Sequence, residues 1–307
     1  MNASLISDGG AAAADPGHFF RSPGFLAAEG VTHTLRVDAE PPLLAPLVVR
    51  EIEAGESDAV SPYGYPGASG GPQPPPDPAA VDWSQTGLVS VFIRDRIGAE
   101  PCLAGGTARS RVWLADPRAE SGVRKRMREQ IRANERRGWS VGIEPGPDAE
   151  GGDRAAFVAA YAETMSRTDA ADRYLFADDY FERILAEPSA WLLLAGRRGD
   201  PPSAGAIAVT SDGHLHYFLG GTADAALDDS PMKNLFAAMI ALAGELGLVL
   251  HLGGGVAPGD SLDSFKRRFA NGEAEFVTHE VVADRDAYVR LSGGREPAAG
   301  FFPAYRA

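Results

Sequence analysis

Apolar residues recur along the chain with two different periods, two residues in some stretches and near 3.6 in others. THTLRVDA (32–39), PLLAPLVVREIEAG (42–55), LVSVFIR (88–94) and SRVWLAD (110–116) are β-branched or leucine-rich runs between breakers, and each predicts a strand. From Val123 to Trp139 the spacing is helical, with Val123, Met127 and Ile131 on one stripe. Two more helices are predicted at 154–167, through Phe157, Tyr161 and Met165, and at 176–186, through Tyr180, Phe181, Ile184 and Leu185. WLLLAG (191–196) and AGAIAVT (204–210) predict a strand pair, and HLHYFLGG (214–221) a third strand. The helix predicted over 231–246 has Pro231 in its first turn and Gly247 past its end, the asymmetry expected of helix boundaries. LVLHLGGG (248–255) predicts a strand entering a glycine-rich loop, FKRRF (265–269) a short helix, and EFVTHEVV (275–282) a last strand. This order predicts an α/β fold, a mixed sheet layered with helices.

The segments without such periods set the expected organisation. The first 30 residues are rich in glycine and alanine and predict a loose arm. Residues 61–80, dense in proline and glycine, cannot be helical and predict a long loop of the kind that often carries function. EPGPDAEGGD (144–153) reads as a linker, which places two domains at 1–146 and 147–289, with the tail 290–307 available to complete the first.

A length of 307 residues suits two domains of about 150. With 44% hydrophobic and 23% charged residues, the chain is neither disordered nor collagen-like. No run approaches the roughly 18 apolar residues of a membrane span, and MNASLISDGGAAAADPG lacks the basic and apolar regions of a signal peptide, so the expected location is the cytoplasm. The single cysteine, Cys102, excludes an internal disulfide and a zinc site built on cysteines.

The net charge of −13 argues against a general nucleic-acid binder. The charge is unevenly spread, however. Arg124, Lys125, Arg126, Arg128, Arg132, Arg136 and Arg137 stand against Glu129 and Glu135 on one predicted helix, a local +5 that leaves −18 elsewhere. Such a run is either a solvated face or an anion-facing surface, and its polarisation favours the second.

The words FVAAYAETMSRTDA, YLFADDYFERIL, HLHYFLGGT, LGLVLHLGGG and DSLDSFKRRF, together with SPYGYPG, resemble the Fem-like aminoacyltransferases, a branch of the GNAT acyltransferase superfamily, over roughly residues 31–290. The resemblance implies two tandem GNAT-like domains, with RKRMREQIRANERRGW closing the first. It also implies acyl transfer from an activated ester to an amine. In the GNAT arrangement two adjacent parallel strands splay and the acyl donor lies in the gap; here these are 214–221 and 248–254. Backbone groups exposed there would orient the carbonyl and stabilise the oxyanion.

The resemblance marks Lys266 and Phe265 as a functional pair. The lysine would neutralise charge on the reacting carbonyl or on a tRNA end, although a snorkelling lysine between core residues Phe265 and Phe269 is the plain alternative. Tyr217 and His216 occupy opposite faces of one strand, so at most one faces the gap, and either could relay the amine proton. Tyr63, Tyr65, Arg167, Asn234, Gly253 and Gly254 complete the expected substrate contacts, and Arg124, Arg128 and Arg132 the expected tRNA contacts. No H-x-x-x-H spacing and no strand-to-helix G-x-S-x-G elbow occurs, so neither a metal nor a cofactor is expected.

The donor is read from the loop GTADAALDDSP (221–231). A coenzyme A enzyme holds pyrophosphate with a basic or glycine-rich loop before this helix, whereas Asp228 and Asp229 would repel it, which favours aminoacyl-tRNA as co-substrate over acetyl-CoA or another acyl-CoA. The expected acceptor is an amine on a small metabolite or a muropeptide. A GNAT-like binding module without catalysis stands as a further alternative, and the oligomeric state is left open.

Overall fold

The computed structural model describes residues 1–53, 55–255, 257, 259–294 and 301–307. Ala54, at the end of the second predicted strand run, and 295–300, inside the predicted C-terminal tail, lie outside the described residues. The chain divides into two compact units, one of Met1–Ser110 with Glu275–Ala307, the other of Arg111–Ala274.

In the first unit β1 (Ala3–Ile6) and α1 (Pro23–Ala28) precede β2 (His33–Val37), β3 (Leu43–Glu51), β4 (Ser57–Val60), the two-residue β5 (Ser69–Gly70) and β6 (Leu88–Arg94). The chain leaves this unit within β7 (Thr107–Ala115) and returns within β13 (Gly272–Val282), which α7 (Arg285–Leu291) follows. The strands are ordered β1-β2-β3-β4-β6-β13, with β5 beside β3. The expected loose arm is instead part of this unit. β1 pairs antiparallel with β2, and Phe19, Phe20 and Phe25 are fully buried with ring centroids 4.9–5.6 Å apart. Burial of each phenylalanine contributes about 2–3 kcal/mol, which orders a segment that glycine and alanine alone would leave loose. Ser22 caps α1 by accepting from the Phe25 N–H.

The second unit contains α2 (Lys125–Arg136), β8 (Trp139–Pro145), α3 (Gly151–Arg167), α4 (Asp178–Leu185), β9 (Ala190–Arg197), β10 (Ala204–Ser211), β11 (His214–Thr222), α5 (Met232–Glu245), β12 (Val249–Gly253) and α6 (Ser261–Arg267). Its strands are ordered β7-β12-β11-β10-β9-β8, antiparallel throughout except for β11 and β12, which run parallel. α5 covers one face with Leu235, Phe236, Met239 and Leu242, and the core it joins includes Met127, Ile131 and Trp139.

That core relocates the expected boundary. α2 packs into the second unit through the Met127–Ile131 stripe, so it does not close the first, and the 144–153 segment is no linker. It holds the end of β8, a single turn and the start of α3, and a side chain on Gly146 would meet the Leu185 carbonyl at 2.6 Å. The chain passes between units inside regular strands, where no break in composition marks the place.

Candidate active site

β11 and β12 pair at only three positions, His214 with Val249, Leu215 with Leu250 and His216 with His251. Past them β11 runs on to Thr222 beside β10, while β12 ends at Gly253, whose φ of 72° turns the chain away. The ladder therefore opens into a notch at Tyr217 and Leu252, between the two strands whose splaying the resemblance implies.

Lys266 reaches the notch from α6. Its Nζ donates to the Gly254 carbonyl at 2.7 Å and lies 5.2 Å from the centre of the Tyr217 ring. A side chain on Gly253 would come within 3.1 Å of the same nitrogen. α6 is set by its cap and its core face. Asp260 accepts from the Asp263 N–H at 2.7 Å, Trp113 Nε1 donates to Asp263 Oδ1 at 2.7 Å, and the Phe265 ring packs on Phe236 and Phe269. Lys266 is only 7% exposed, and that burial lowers its pKa to about 8, against the opposing pull of Asp260 and Asp263. Burial likewise pushes the Tyr217 hydroxyl up to about 12, so it stays a donor at neutral pH. The ring lies back over Gly220, where a Cβ would stand 2.3 Å from the Tyr217 oxygen. Gly220 is thus a site residue that sequence reasoning missed, although a glycine inside a strand is itself the signal of close approach.

The structure brings together Lys266, Phe265, Tyr217, Gly253 and Gly254. Phe265 contributes its ring to the seat of α6, and its carbonyl accepts from the Arg268 N–H within the helix end. His216 points to the other face, 4.8 Å between ring centres from His251 and 5.6 Å from His214, with its Nε2 beside the Ser211 carbonyl. Burial first, then His216, His214 and Lys266, hold His251 well below the usual imidazole range, so it is neutral. Asn234 lies apart from the notch. Its Oδ1 accepts from Asn134 Nδ2 at 2.9 Å, a buried bond between α5 and α2. Arg167 is engaged by Asp224 and donates to the Thr222 carbonyl, tying the end of α3 to the end of β11. In the first unit Tyr65 packs edge-on between Phe20 and Phe276, and the Tyr63 N–H donates to Glu29.

A groove of about 510 Å³ opens where α2, α5 and α6 approach one another, lined by Arg124, Arg126, Met127, Gln130, Lys233 and Arg268. Among these described residues none is acidic. Burial first, then the neighbouring Arg268 and Arg126, depress the Lys233 pKa against the opposing pull of Asp229. Of the three arginines expected to meet RNA, Arg124 lines this groove and Arg128 and Arg132 do not. Those three form a stripe running up the exposed side of α2, whereas the groove lies at the helix start and takes Arg126. The acidic loop before α5 is held by partners of its own. Asp229 is matched by Arg137 at 2.8 Å and by Arg197, and it accepts from Trp139 Nε1 at 3.0 Å, contacts that hold its carboxyl below the usual range. Its charge is matched by these partners, Asp228 beside it is exposed, and the charged residues lining the groove beside Lys233 are cationic.

Residues 121–267 match the family model of the acetyltransferase (GNAT) domain, a span that begins before α2 and ends just after Lys266. No curated protein matches the sequence. Among solved structures, L-PGS from Bacillus licheniformis is similar with a TM-score of 0.60 at 11% identity, covering 86% of this chain and 87% of that one. FemX is similar with a TM-score of 0.58 at 12% identity, covering 84% and 89%. The C-terminal domain of a putative lysylphosphatidylglycerol synthetase from Agrobacterium fabrum gives 0.56 at 16% identity, covering 89% and 93%. Residues 121–267 thus match the acetyltransferase (GNAT) domain around the notch, and over most of its length the chain shares its fold with L-PGS and FemX.

Proposed function

We propose that the protein is an aminoacyltransferase that moves an aminoacyl group from aminoacyl-tRNA to an amine of a small metabolite or muropeptide. The observation that carries this reading is Lys266, a buried ammonium held at the point where the β11–β12 ladder opens. The ester carbonyl lies in the notch, and the amine attacks it. The ammonium and the open backbone positions of the strands stabilise the oxyanion that forms. As the tetrahedral intermediate collapses, the carbon–oxygen bond to the ribose breaks and the Tyr217 hydroxyl donates toward the departing oxygen. The proton lost by the amine passes to the Tyr217 oxygen, so the products are the amide and the free ribose hydroxyl and Tyr217 is restored. The Arg124–Arg126–Lys233–Arg268 groove takes the donor's phosphates. Likeness to FemX and to the lysylphosphatidylglycerol synthetase supports an aminoacyl donor, and the second name adds a phosphatidylglycerol hydroxyl to the acceptors worth testing.

An acyl-CoA donor is the second reading, favoured by the same groove: with Asp229 neutralised, its cations suit a pyrophosphate as well as an RNA end. The test incubates the protein with labelled aminoacyl-tRNAs or acetyl-CoA and an acceptor panel, with and without ribonuclease. Transfer from tRNA that ribonuclease abolishes and Lys266→Ala removes is the expected result. Product that requires acetyl-CoA and survives ribonuclease overturns the first reading in favour of the second. Ligand binding with no product from any donor, unaltered in a folded Lys266→Ala protein, indicates a binding module.

A further inference from the structure

The first unit holds a second cluster of chemically competent side chains, unrelated to the notch. β6 ends at Arg94, and Asp95 starts the loop that leads to β7. Cys102 lies on that loop, and β13 brings His279 opposite Ile93 of β6. Residues separated by up to 184 positions therefore meet. His279 Nε2 is 2.8 Å from Asp95 Oδ2, the Cys102 N–H donates to Asp95 Oδ1 at 3.1 Å, and one ligand atom from each of the three residues lies within 4.8 Å of the others. Asp95 and His279 are buried and Cys102 is half-buried.

We propose that Asp95, Cys102 and His279 bind a divalent ion of the zinc type, which clamps the 95–106 loop onto β6 and β13. Three arguments support it. The donor set is one sulfur, one nitrogen and one oxygen, the mixture that a borderline-soft tetrahedral ion accepts, with a fourth position for water. Charge also balances: a thiolate, a carboxylate and a neutral imidazole around a dication sum to zero, which a buried site requires. Finally, ordinary metal–ligand bonds of about 2.0–2.3 Å put tetrahedral ligand atoms roughly 3.3–3.8 Å apart, so the 2.8 Å His279–Asp95 pair must open slightly and the wider spacings, up to 4.8 Å, must close, with the sulfur on a loop. His279 Nδ1 makes no hydrogen bond among the described residues, and Nε2 donates to the Asp95 carboxylate, so ligation through Nε2 exchanges that proton for the ion. The order of contacts speaks against a nucleophilic cysteine. Asp95 meets both the imidazole and the Cys102 segment, so the imidazole proton is shared with the carboxylate and not with the thiol.

Because Cys102 is the chain's single cysteine, sulfur ligation can be read without ambiguity. The reduced protein is titrated with Co²⁺, and the near-ultraviolet band of cobalt–thiolate charge transfer is followed. The expected result is a band that saturates at one equivalent, disappears on adding Zn²⁺, and is absent from Cys102→Ser and His279→Gln. In the unsubstituted protein Zn²⁺ should also slow reaction of the thiol with a disulfide reagent by at least about tenfold. The proposal is overturned if cobalt gives no charge-transfer band, if it gives only the weaker bands of histidine ligation, or if Zn²⁺ leaves the thiol rate unchanged. The last measurement needs no variant, so it stands even if the substitutions impair folding.

Discussion

Replacing Lys266 with methionine should make the protein more stable while abolishing transfer. The lysine ionises near 8 in the folded protein against 10.5 for a free side chain. Each tenfold change in ionisation ratio corresponds to about 1.4 kcal/mol, so keeping this ammonium buried at neutral pH costs on the order of 3 kcal/mol. Methionine fills a similar volume without the charge, at the loss of the hydrogen bond to Gly254, itself worth about 1 kcal/mol. The net gain is about 1–3 kcal/mol, or a rise in Tm of roughly 3–10 °C for a unit of this size. The pH dependence has a defined sign. The folded pKa is depressed, so between about 8 and 10.5 the unfolded chain holds the proton that the folded one has released, and wild-type stability climbs across that window. The advantage of Lys266→Met is therefore full at pH 7 and closes by about pH 10.5. Thermal melts of both proteins from pH 6 to 10.5, beside single-turnover transfer assays, measure it. A variant less stable at pH 7, or a gap in Tm that does not change with pH, would refute the reasoning, because the lysine would then be an ordinary packing residue.

Gly220→Ala should destabilise by about 1–3 kcal/mol and reduce transfer by displacing the Tyr217 ring, whereas Gly142→Ala, with open space at its Cβ, should stay within about 0.5 kcal/mol in the same melts. Asp229→Ala strips Arg137, Arg197 and Trp139 of their shared acceptor and should cost about 1–3 kcal/mol at pH 7. Since the Asp229 carboxyl is held low, that difference should persist above pH 4 and fade as acid protonates it, which denaturant titrations at several pH values would follow. Arg126→Ser with Arg268→Ser should raise KM for the donor more than it lowers kcat. Four groove cations limit the wild-type slope of log affinity against log salt to about −3, and the double variant should halve it, as filter binding over a salt series would show.

Much of the fold is legible in the sequence because strand and helix periods are local. β6 spans Leu88–Arg94, the residues of its predicted run, and β11 and α5 lie within a residue of expectation. Where sequence reasoning fails, the cause is a partner far along the chain. β8 carries Gly142 and alternates too weakly to show, yet it pairs with β9 over its whole length. The apolar run His18–Leu26 is hidden among glycines and alanines, and only the surrounding core reveals why three phenylalanines stand there. The boundary between units escapes for another reason: it falls inside β7 and β13, whose patterns continue unbroken across it.

The site divides along the same line. Lys266, Tyr217, Gly253 and Gly254 are legible because a resemblance names their words and each word is short. Their relation to one another depends on where a three-position ladder ends, which no spacing reports. Charge misleads most when it is counted along the chain. The Asp228–Asp229 pair reads as a repulsive loop, yet two arginines from α2's end and β9 pair with Asp229 and leave only Asp228 exposed, while Arg124 and Arg126 from the start of α2 and Arg268 from the end of α6 gather beside Lys233. A chain of net charge −13 thus presents a cationic groove next to its helix start. The sign of the field a ligand meets is set by which side chains fold together, so the donor must be distinguished by size and chemistry, since charge suits both RNA and coenzyme A.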